Sequence, residues 1–179
     1  MQIVYLKTKL FMQEYRKLVK IASWTALLFC MLIISKYILF KKSPPYYRHY
    51  FAHEYKHYTV NQGLRQANLR PFHTITLFSS DRVSSEYSYM NIGGNIIGFI
   101  PLGVLLPIVL PFFRRWWRLI LAVFIISLSY ETVQLLTGVG IFDVDDLLLN
   151  TTGGIIGFIL FAIARRLLAE PNETAIQAH

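Results

Sequence analysis

The stretch of sequence that decides the fold is residues 119–136, which read LILAVFIISLSYETVQLL. A helix that crosses a bilayer needs about 20 mostly apolar residues, and this run meets that requirement with a single charged side chain, Glu131. Three other runs have the same character: residues 21–40, 95–113 and 147–164. The sequence therefore predicts an all-α, polytopic membrane protein with about four transmembrane helices.

The overall composition agrees with that class. Of the 179 residues, 54% are hydrophobic and 16% are charged, whereas soluble domains carry about 25% charge. The single cysteine, Cys30, excludes an intramolecular disulfide and a cysteine metal site. Because the sequence also lacks a G-x-S-x-G motif, a phosphate-binding loop and a C-x-x-C motif, we expect no cofactor, and a binding protein rather than an enzyme.

The net charge of +8 is distributed in a way that favours a lipid surface over nucleic acid as the partner. Basic residues prefer the cytoplasmic ends of membrane helices. They are concentrated in the N-terminal arm, after the second span and after the fourth span: Lys7, Lys9, Arg16, Lys17, Lys20, Arg114, Arg115, Arg118, Arg165 and Arg166. The turn between the third and fourth spans instead carries Asp143, Asp145 and Asp146. We therefore expect a multi-pass protein of the cell membrane with both termini in the cytoplasm.

Five segments follow from these spans. Residues 1–20 form a cytoplasmic basic arm whose charged and apolar residues are interleaved as in an amphipathic interfacial helix, and residues 21–40 form the first transmembrane helix. Residues 41–94 form one long outer loop, which carries seven Lys and Arg but is long enough for the charge rule to weaken. Residues 95–164 form a helical core with three transmembrane helices, and residues 165–179 form a cytoplasmic tail. Membrane lipids are the expected partners, and the sequence indicates no nucleic-acid binding and no particular oligomeric state.

A short internal repeat links the second and fourth spans. Residues 90–100 read MNIGGNIIGFI and residues 149–159 read LNTTGGIIGFI, so we expect both copies to enter the membrane from the same, outer side. Each copy contains a G-x-x-x-G pattern, in which the missing side chains let helix backbones approach closely. The glycines predicted to pack in this way are Gly94, Gly98, Gly153 and Gly157.

Polar side chains inside the predicted spans cluster near their outer ends. Glu131 and Gln134 share one face of the third span, and Glu131 lies roughly 7 Å below its outer end at a rise of about 1.5 Å per residue. Because polar groups are costly in hydrocarbon, they indicate function by default. We expect an outer-leaflet polar pocket that binds a ligand through Asn95, Glu131, Gln134, Asp143, Asp145, Asp146 and Asn150. The alternative is an ion pair between Glu131 and Lys36, which lies at a similar depth in the first span.

Three sequence blocks resemble the VanZ-like family of bacterial membrane proteins. The first is N-L-x-P-F at residues 68–72, and the second is N-x-x-x-F-x-P-x-G at residues 95–103. The third is E-x-x-Q at residues 131–134, followed by D-x-D-D-x-x-x-N-x-x-G at residues 143–153. The resemblance implies an integral membrane protein and, from the family's namesake, tolerance to a glycopeptide antibiotic of the teicoplanin type. A lipid-linked cell-wall precursor or the glycopeptide itself is therefore the ligand that we expect in the pocket.

Two enzymatic alternatives stay open. His53, Glu54 and His57 spell H-E-x-x-H, in which two histidines one turn apart bind zinc and the glutamate acts as a base, so the first is a membrane-bound zinc metallopeptidase. The wet, basic and tyrosine-rich surroundings argue against a dry catalytic helix. The second alternative is a lipid-phosphate enzyme in which the acidic turn holds a divalent cation. We favour the binding protein, with no metal.

Overall fold

The computed structural model describes residues 2–78 and 85–168, and most of these residues are helical. In chain order the α-helices are α1 (Gln2–Leu39), α2 (Pro44–His49), α3 (Val60–Gln66), α4 (His73–Phe78), α5 (Ser85–Val109), α6 (Trp116–Thr137) and α7 (Val144–Leu168). The other described helical segments are a π-helical turn (Tyr50–Glu54) and two 3-10 turns (Tyr55–His57 and Pro111–Arg114).

Four of these helices are long and apolar enough to cross a membrane. Their candidate spans lie in α1, α5, α6 and α7 and are Gln13–Leu39, Asn91–Val109, Trp116–Thr137 and Val144–Leu168. Within residues 2–78 and 85–168, the β-structure is limited to an isolated bridge between Asn68 and Asp143. The predicted fold class, an all-α membrane protein with four spanning helices, is confirmed.

The helix boundaries differ from the sequence prediction at two places. Helix α1 is continuous across residue 20, where the sequence predicts an arm followed by a separate span. It contains no glycine or proline, so nothing in its sequence interrupts the backbone hydrogen bonds before Pro44. Helix α5 begins at Ser85, ahead of the predicted start of the second span at Asn95.

The segment 41–94, predicted to be one outer loop, instead contains α2, α3, α4 and the start of α5, while its residues 79–84 lie outside the described part of the chain. Local capping explains one of these short helices. The side chain of Thr59 accepts from the backbone N–H of Gln62, and the side chain of Gln62 accepts from the backbone N–H of Thr59. This reciprocal capping box satisfies donors at the start of α3, which is how so short a helix is stabilised.

The four long helices alternate in direction along the chain and give the bundle two chemically different ends. Helices α1 and α6 run in the same direction, because Gln134 near the end of α6 donates to the carbonyl of Ile38 near the end of α1 at 3.0 Å. Helices α5 and α7 run the other way. The polar end therefore holds the start of α5 and α7 and the acidic turn of Asp143, Asp145 and Asp146. The basic end holds the start of the first span, the Pro111–Arg114 turn and the end of α7.

Helices α5 and α7 form the most extensive helix contact in the described residues. Glycines make this approach possible, since a Cβ added at Gly153 would overlap the carbonyl oxygen of Ile96, and one added at Gly157 would overlap that of Ile100. From the α5 side, Gly103 faces the backbone of Gly154. The contacts advance together along both helices, so the two copies of the repeat lie side by side and parallel.

The other two glycines of the repeat do not pack, and the prediction for Gly94 and Gly98 is wrong. A Cβ added at either position meets nothing within 4 Å. The physical reason is that α7 lies between α5 and α6 and has neighbours on two sides, whereas the Gly94 and Gly98 face of α5 borders a groove beside α1.

Candidate functional site

The acidic turn is held by a distant segment, residues 68–75, which folds back over the polar end. Asn68 pairs its backbone with this turn in a parallel bridge: its N–H donates to the carbonyl of Phe142 at 2.9 Å, and its carbonyl accepts from the N–H of Val144 at 3.0 Å. The side chain of Asn68 also donates to a carboxylate oxygen of Asp143 at 2.8 Å. The N-L-x-P-F block is thus joined to the D-x-D-D block.

Asp145 anchors the start of α4. Its carboxylate accepts from the backbone N–H groups of Phe72 at 2.5 Å, Thr74 at 2.7 Å and Ile75 at 3.1 Å, and the residue is 0% exposed. A carboxylate at this position satisfies donors that have no partner inside the helix. Phe72 itself has φ of 64°, a left-handed conformation that is uncommon for a bulky residue. Asp145 is therefore a structural residue whose oxygens are already engaged.

Asp143 connects three parts of the polar end. Its carboxylate accepts from the side chain of Asn68, from the hydroxyl of Thr74 at 2.6 Å and from the backbone N–H of Asp145 at 2.8 Å. Its own backbone N–H donates to the carboxylate of Glu131 at 2.9 Å. The network ties α6, the acidic turn and the 68–75 segment into one unit.

Glu131 is enclosed in this network rather than paired with Lys36. Glu131 is 1% exposed, whereas Lys36 is exposed on the outside of α1. The ion pairs found among the described residues join Lys17 to Glu14 and His49 to Glu54, so the proposed Glu131 to Lys36 pair is not formed. The carboxylate of Glu131 instead accepts from the backbone N–H of Asp143, and a sequence pattern does not reveal such a contact.

Gln134 and Asn150 fix contacts between the long helices. Gln134 donates to the carbonyl of Ile38, and the side chain of Asn150 donates to the hydroxyl of Ser127 at 2.9 Å. Both residues are buried, and the amide oxygen of each has no hydrogen-bond partner in the described structure. They are placed to hold α1, α6 and α7 together.

Two tyrosines close the polar end of α6. The hydroxyl of Tyr50 donates to the carbonyl of Thr137 at 3.0 Å, and that of Tyr58 donates to the carbonyl of Leu135 at 2.5 Å. Burial raises the pKa of both phenols above the ordinary value. Gly138 ends the helix at φ of 67°, and a Cβ there would overlap both tyrosines, so this position requires glycine.

A groove of about 730 Å³ lies between α1 and α5. Its walls are apolar, and several of the residues that form them are exposed on the outer surface of the bundle, so the groove opens sideways toward the bilayer. The residues of these walls are Ala26, Phe29, Cys30, Ile33, Ile34, Tyr37, Ile38, Gly94, Ile97, Gly98, Phe99, Pro101 and Leu105.

The polar end of this groove is formed by Lys41, Asn91 and Asn95. Asn95 donates to the carboxylate of Asp146 at 2.6 Å, which connects the groove to the acidic turn. The amide oxygen of Asn91 is buried and has no hydrogen-bond partner among the described residues. The ammonium group of Lys41 is close enough to the carboxylates of Glu131 and Asp146 to interact with them electrostatically. The end of the apolar groove therefore presents a buried hydrogen-bond acceptor and a cation, which are positioned to contact the headgroup of an amphiphile.

The structure brings all seven predicted site residues to one end but gives them different surroundings. Asn95 lines the groove, and Asp146 contacts it. The other five serve mainly as hydrogen-bonding partners within the scaffold: Glu131, Gln134, Asp143, Asp145 and Asn150. Sequence reasoning missed Lys41 and Asn91 as groove residues. Asn91 could have been found because it occupies the same position in the first copy of the repeat that Asn150 occupies in the second.

The H-E-x-x-H segment does not have the geometry of a zinc-binding helix. His53 lies in the π-helical turn and His57 in the 3-10 turn, so the α-helical spacing is broken between them. Glu54 lies 3.5 Å from the ring nitrogen of His49, and the His53 ring stacks on His49. Among the residues whose side chains the structure describes (13–15, 17–77 and 91–168), no group of three or more His, Cys, Asp or Glu is arranged to hold a metal ion.

The acidic turn does not fit the divalent-cation alternative either. The carboxylate oxygens of Asp143 and Asp145 face N–H and O–H donors of the 68–75 segment and of the turn itself. A cation needs oxygen ligands directed at one point, whereas these oxygens are directed at hydrogen-bond donors.

The comparisons with known proteins identify the family of the chain. A model of the VanZ/LLP1 family matches residues 24–165, which include α5, α6, most of α7 and the acidic turn. Protein VanZ from Enterococcus faecium is 28% identical over 112 residues, a match that covers 59% of this chain and 58% of that protein, so the chain spans little more than half of the relative's length. No solved structure matches the chain. Because the family match covers most of the sequence, the chain belongs to the VanZ/LLP1 family.

Proposed function

We propose that this protein binds an amphiphile within the membrane, with its alkyl chain in the groove between α1 and α5 and its headgroup against Lys41, Asn91 and Asn95. The single observation that carries the proposal is the groove itself, apolar along its walls and polar at one end. Ala26 and Ile38 lie roughly 18 Å apart along α1 at about 1.5 Å per residue. That length is more than half of a hydrocarbon core of about 30 Å, which is enough for much of a lipid chain.

The headgroup contacts decide which amphiphile binds. An alkyl chain gains little from leaving lipid for an apolar groove, since both surroundings are equally apolar. The preference of the site for one amphiphile over another must therefore come from the ammonium group of Lys41 and the unpartnered amide oxygen of Asn91. These groups suit an anionic or sugar-bearing headgroup, such as that of a lipid-linked cell-wall precursor or a lipid-anchored glycopeptide.

We place the polar end at the outer leaflet, because the opposite end carries the arginines that favour the cytoplasmic side. Cysteine labelling on a Cys30-free background tests this orientation. A cysteine at Ile141, which is exposed, should react with a membrane-impermeant maleimide from outside, and a cysteine at Arg115 should react only after the membrane is opened. Labelling at Arg115 from outside would reverse the proposed orientation. Ile141 is preferable to Gly138, where a side chain collides with Tyr50 and Tyr58.

The proposed cellular role is tolerance to a glycopeptide of the teicoplanin type, which the membership of the VanZ/LLP1 family supports. Expression in a sensitive Gram-positive host is expected to reduce susceptibility to teicoplanin more than to vancomycin. The substitution Gly98→Leu should abolish this effect, because Gly98 lines the groove and has open space around it for a side chain that fills the cavity. The measurement is the minimal inhibitory concentration at matched expression.

The matched control for this experiment is Gly93→Leu. Gly93 lies on the same helix, and a Cβ added there also meets nothing within 4 Å, but Gly93 does not line the groove. It should keep the wild-type phenotype. Equal activity of the Gly98→Leu variant, or no change in susceptibility with the wild-type protein, would contradict the proposed role.

A further inference from the structure

A second cavity lies at the basic end of the bundle and shares no lining residue with the groove. It measures about 330 Å³ and is formed where the Pro111–Arg114 turn meets the last turns of α7. Arg114, Arg165 and Arg166 surround it, and its floor is apolar, formed by Phe158, Phe161 and Ala162. Three arginines from two distant parts of the chain therefore line one small cavity.

The charges around this cavity are not balanced by described carboxylates. The ion pairs found among the described side chains lie elsewhere, at Glu14 and at Glu54. Arg114 is oriented by a hydrogen bond from its Nε to the carbonyl of Pro107 at 3.3 Å. The negative end of the α7 dipole offsets only part of this charge. An anion that binds between the three arginines would relieve their mutual repulsion.

The depth of the cavity points to a lipid rather than to a dissolved ion. Trp116 and Trp117 follow the same turn and are 64% and 47% exposed. Exposed tryptophans mark the headgroup level of a bilayer. The phenylalanine floor continues from that level toward the apolar surface of α7, so a bound phosphate would have its glycerol and acyl chains alongside apolar side chains.

We propose that Arg114, Arg165 and Arg166 bind the phosphate of an anionic phospholipid in the leaflet at the basic end. The guanidinium group of an arginine can donate two parallel hydrogen bonds to the oxygens of one phosphate. Basic pockets between transmembrane helices are suited to anionic lipid headgroups. This site is independent of the groove, and a lipid in it would fix the end of α7 against the turn that joins α5 to α6.

Native mass spectrometry of the purified full chain in detergent tests the assignment, with phosphatidylglycerol as the probe and phosphatidylcholine as the neutral comparison. The variant Arg114→Gln/Arg165→Gln/Arg166→Gln is expected to bind phosphatidylglycerol at least about tenfold more weakly than the wild type. The control Lys17→Gln/Lys20→Gln/Arg115→Gln removes the same charge from the same end without touching the cavity, and it should bind normally. The single variant Arg165→Gln should weaken binding in the same direction and serves if the triple variant does not fold.

Equal weakening in both triple variants would show that phosphatidylglycerol responds only to the net charge of the basic end, and the site would be rejected. Equal binding of phosphatidylcholine would also reject it. If inorganic phosphate displaces the lipid at equal concentration, the cavity recognises a free anion and the lipid assignment is wrong. Because Gly98→Leu leaves this cavity untouched, failure here and failure of the groove proposal are separable.

Discussion

Gly157→Ala is expected to lower the free energy of unfolding by about 3 kcal/mol, because the added Cβ would overlap the carbonyl oxygen of Ile100 and press on the backbone of Gly103. Neither atom belongs to a flexible side chain, so α5 and α7 must move apart to relieve the overlap. This contact is the most extensive between helices in the described structure. Unfolding of the purified protein in mixed micelles with increasing SDS measures the effect.

The internal repeat supplies a matched control for that experiment. Gly98 occupies the position in α5 that Gly157 occupies in α7, yet its Cβ would meet nothing within 4 Å. Gly98→Ala should therefore leave stability unchanged or raise it by up to about 1 kcal/mol, since alanine favours a helix over glycine. Similar losses in both variants would contradict the parallel packing of the two copies.

Asp145→Asn is expected to cost roughly 3 kcal/mol of stability and to loosen the 68–75 segment. The carboxylate accepts from three backbone N–H groups, and an amide would place its own N–H groups against some of these donors. A buried donor left without a partner is costly, and Asp145 has no access to water. SDS unfolding gives the stability, and hydrogen exchange of the amides of Phe72 and Thr74 should become faster.

Asp146→Asn is the control in the same turn. Asp146 accepts from one side-chain amide, that of Asn95, and this amide can rotate to pair with asparagine. The change should cost about 1 kcal/mol or less and leave exchange in the 68–75 segment unchanged. If Asp145→Asn were as mild, the anchoring of α4 by that carboxylate would be refuted.

Hydropathy was sufficient to predict the four spanning helices, because length and apolar content are local properties of the sequence. The run 119–136 and the corresponding span Trp116–Thr137 differ only at the ends. The repeat also predicted correctly that its two copies share a direction. The extra helices between residues 41 and 94 were missed, since helices as short as α3 depend on a capping box and on neighbouring contacts rather than on an apolar run.

The glycine repeat shows why the face of a helix cannot be assigned from a motif. Both copies contain G-x-x-x-G, but only Gly153 and Gly157 meet a neighbouring backbone. The difference lies in what surrounds each helix, and that depends on the whole bundle. The same motif therefore allows close packing of α7 on α5, whereas in α5 it lines the open groove.

The roles of the polar residues were also outside the reach of the sequence. The clustering of the polar residues at one end of the bundle could be predicted from their depth in the spans and from the alternating directions of the spans. The donors that engage Asp145 come from residues 72–75, about 70 positions away along the chain, and nothing local predicts that contact. In the sequence, Lys41 only flanks the first span, and its place beside Asn91 depends on the packing of α1 on α5.

The central claim is that the groove between α1 and α5 holds the chain of an amphiphile, and photocrosslinking tests it most directly. Teicoplanin with a diazirine on its fatty-acyl chain is irradiated with the protein in lipid nanodiscs, and the adducts are mapped by peptide mass spectrometry. We predict adducts concentrated at groove residues such as Ile33 and Leu105, lost in Gly98→Leu and retained in Gly93→Leu. Adducts spread equally over other surface residues such as Leu160, and unchanged by Gly98→Leu, would contradict the account.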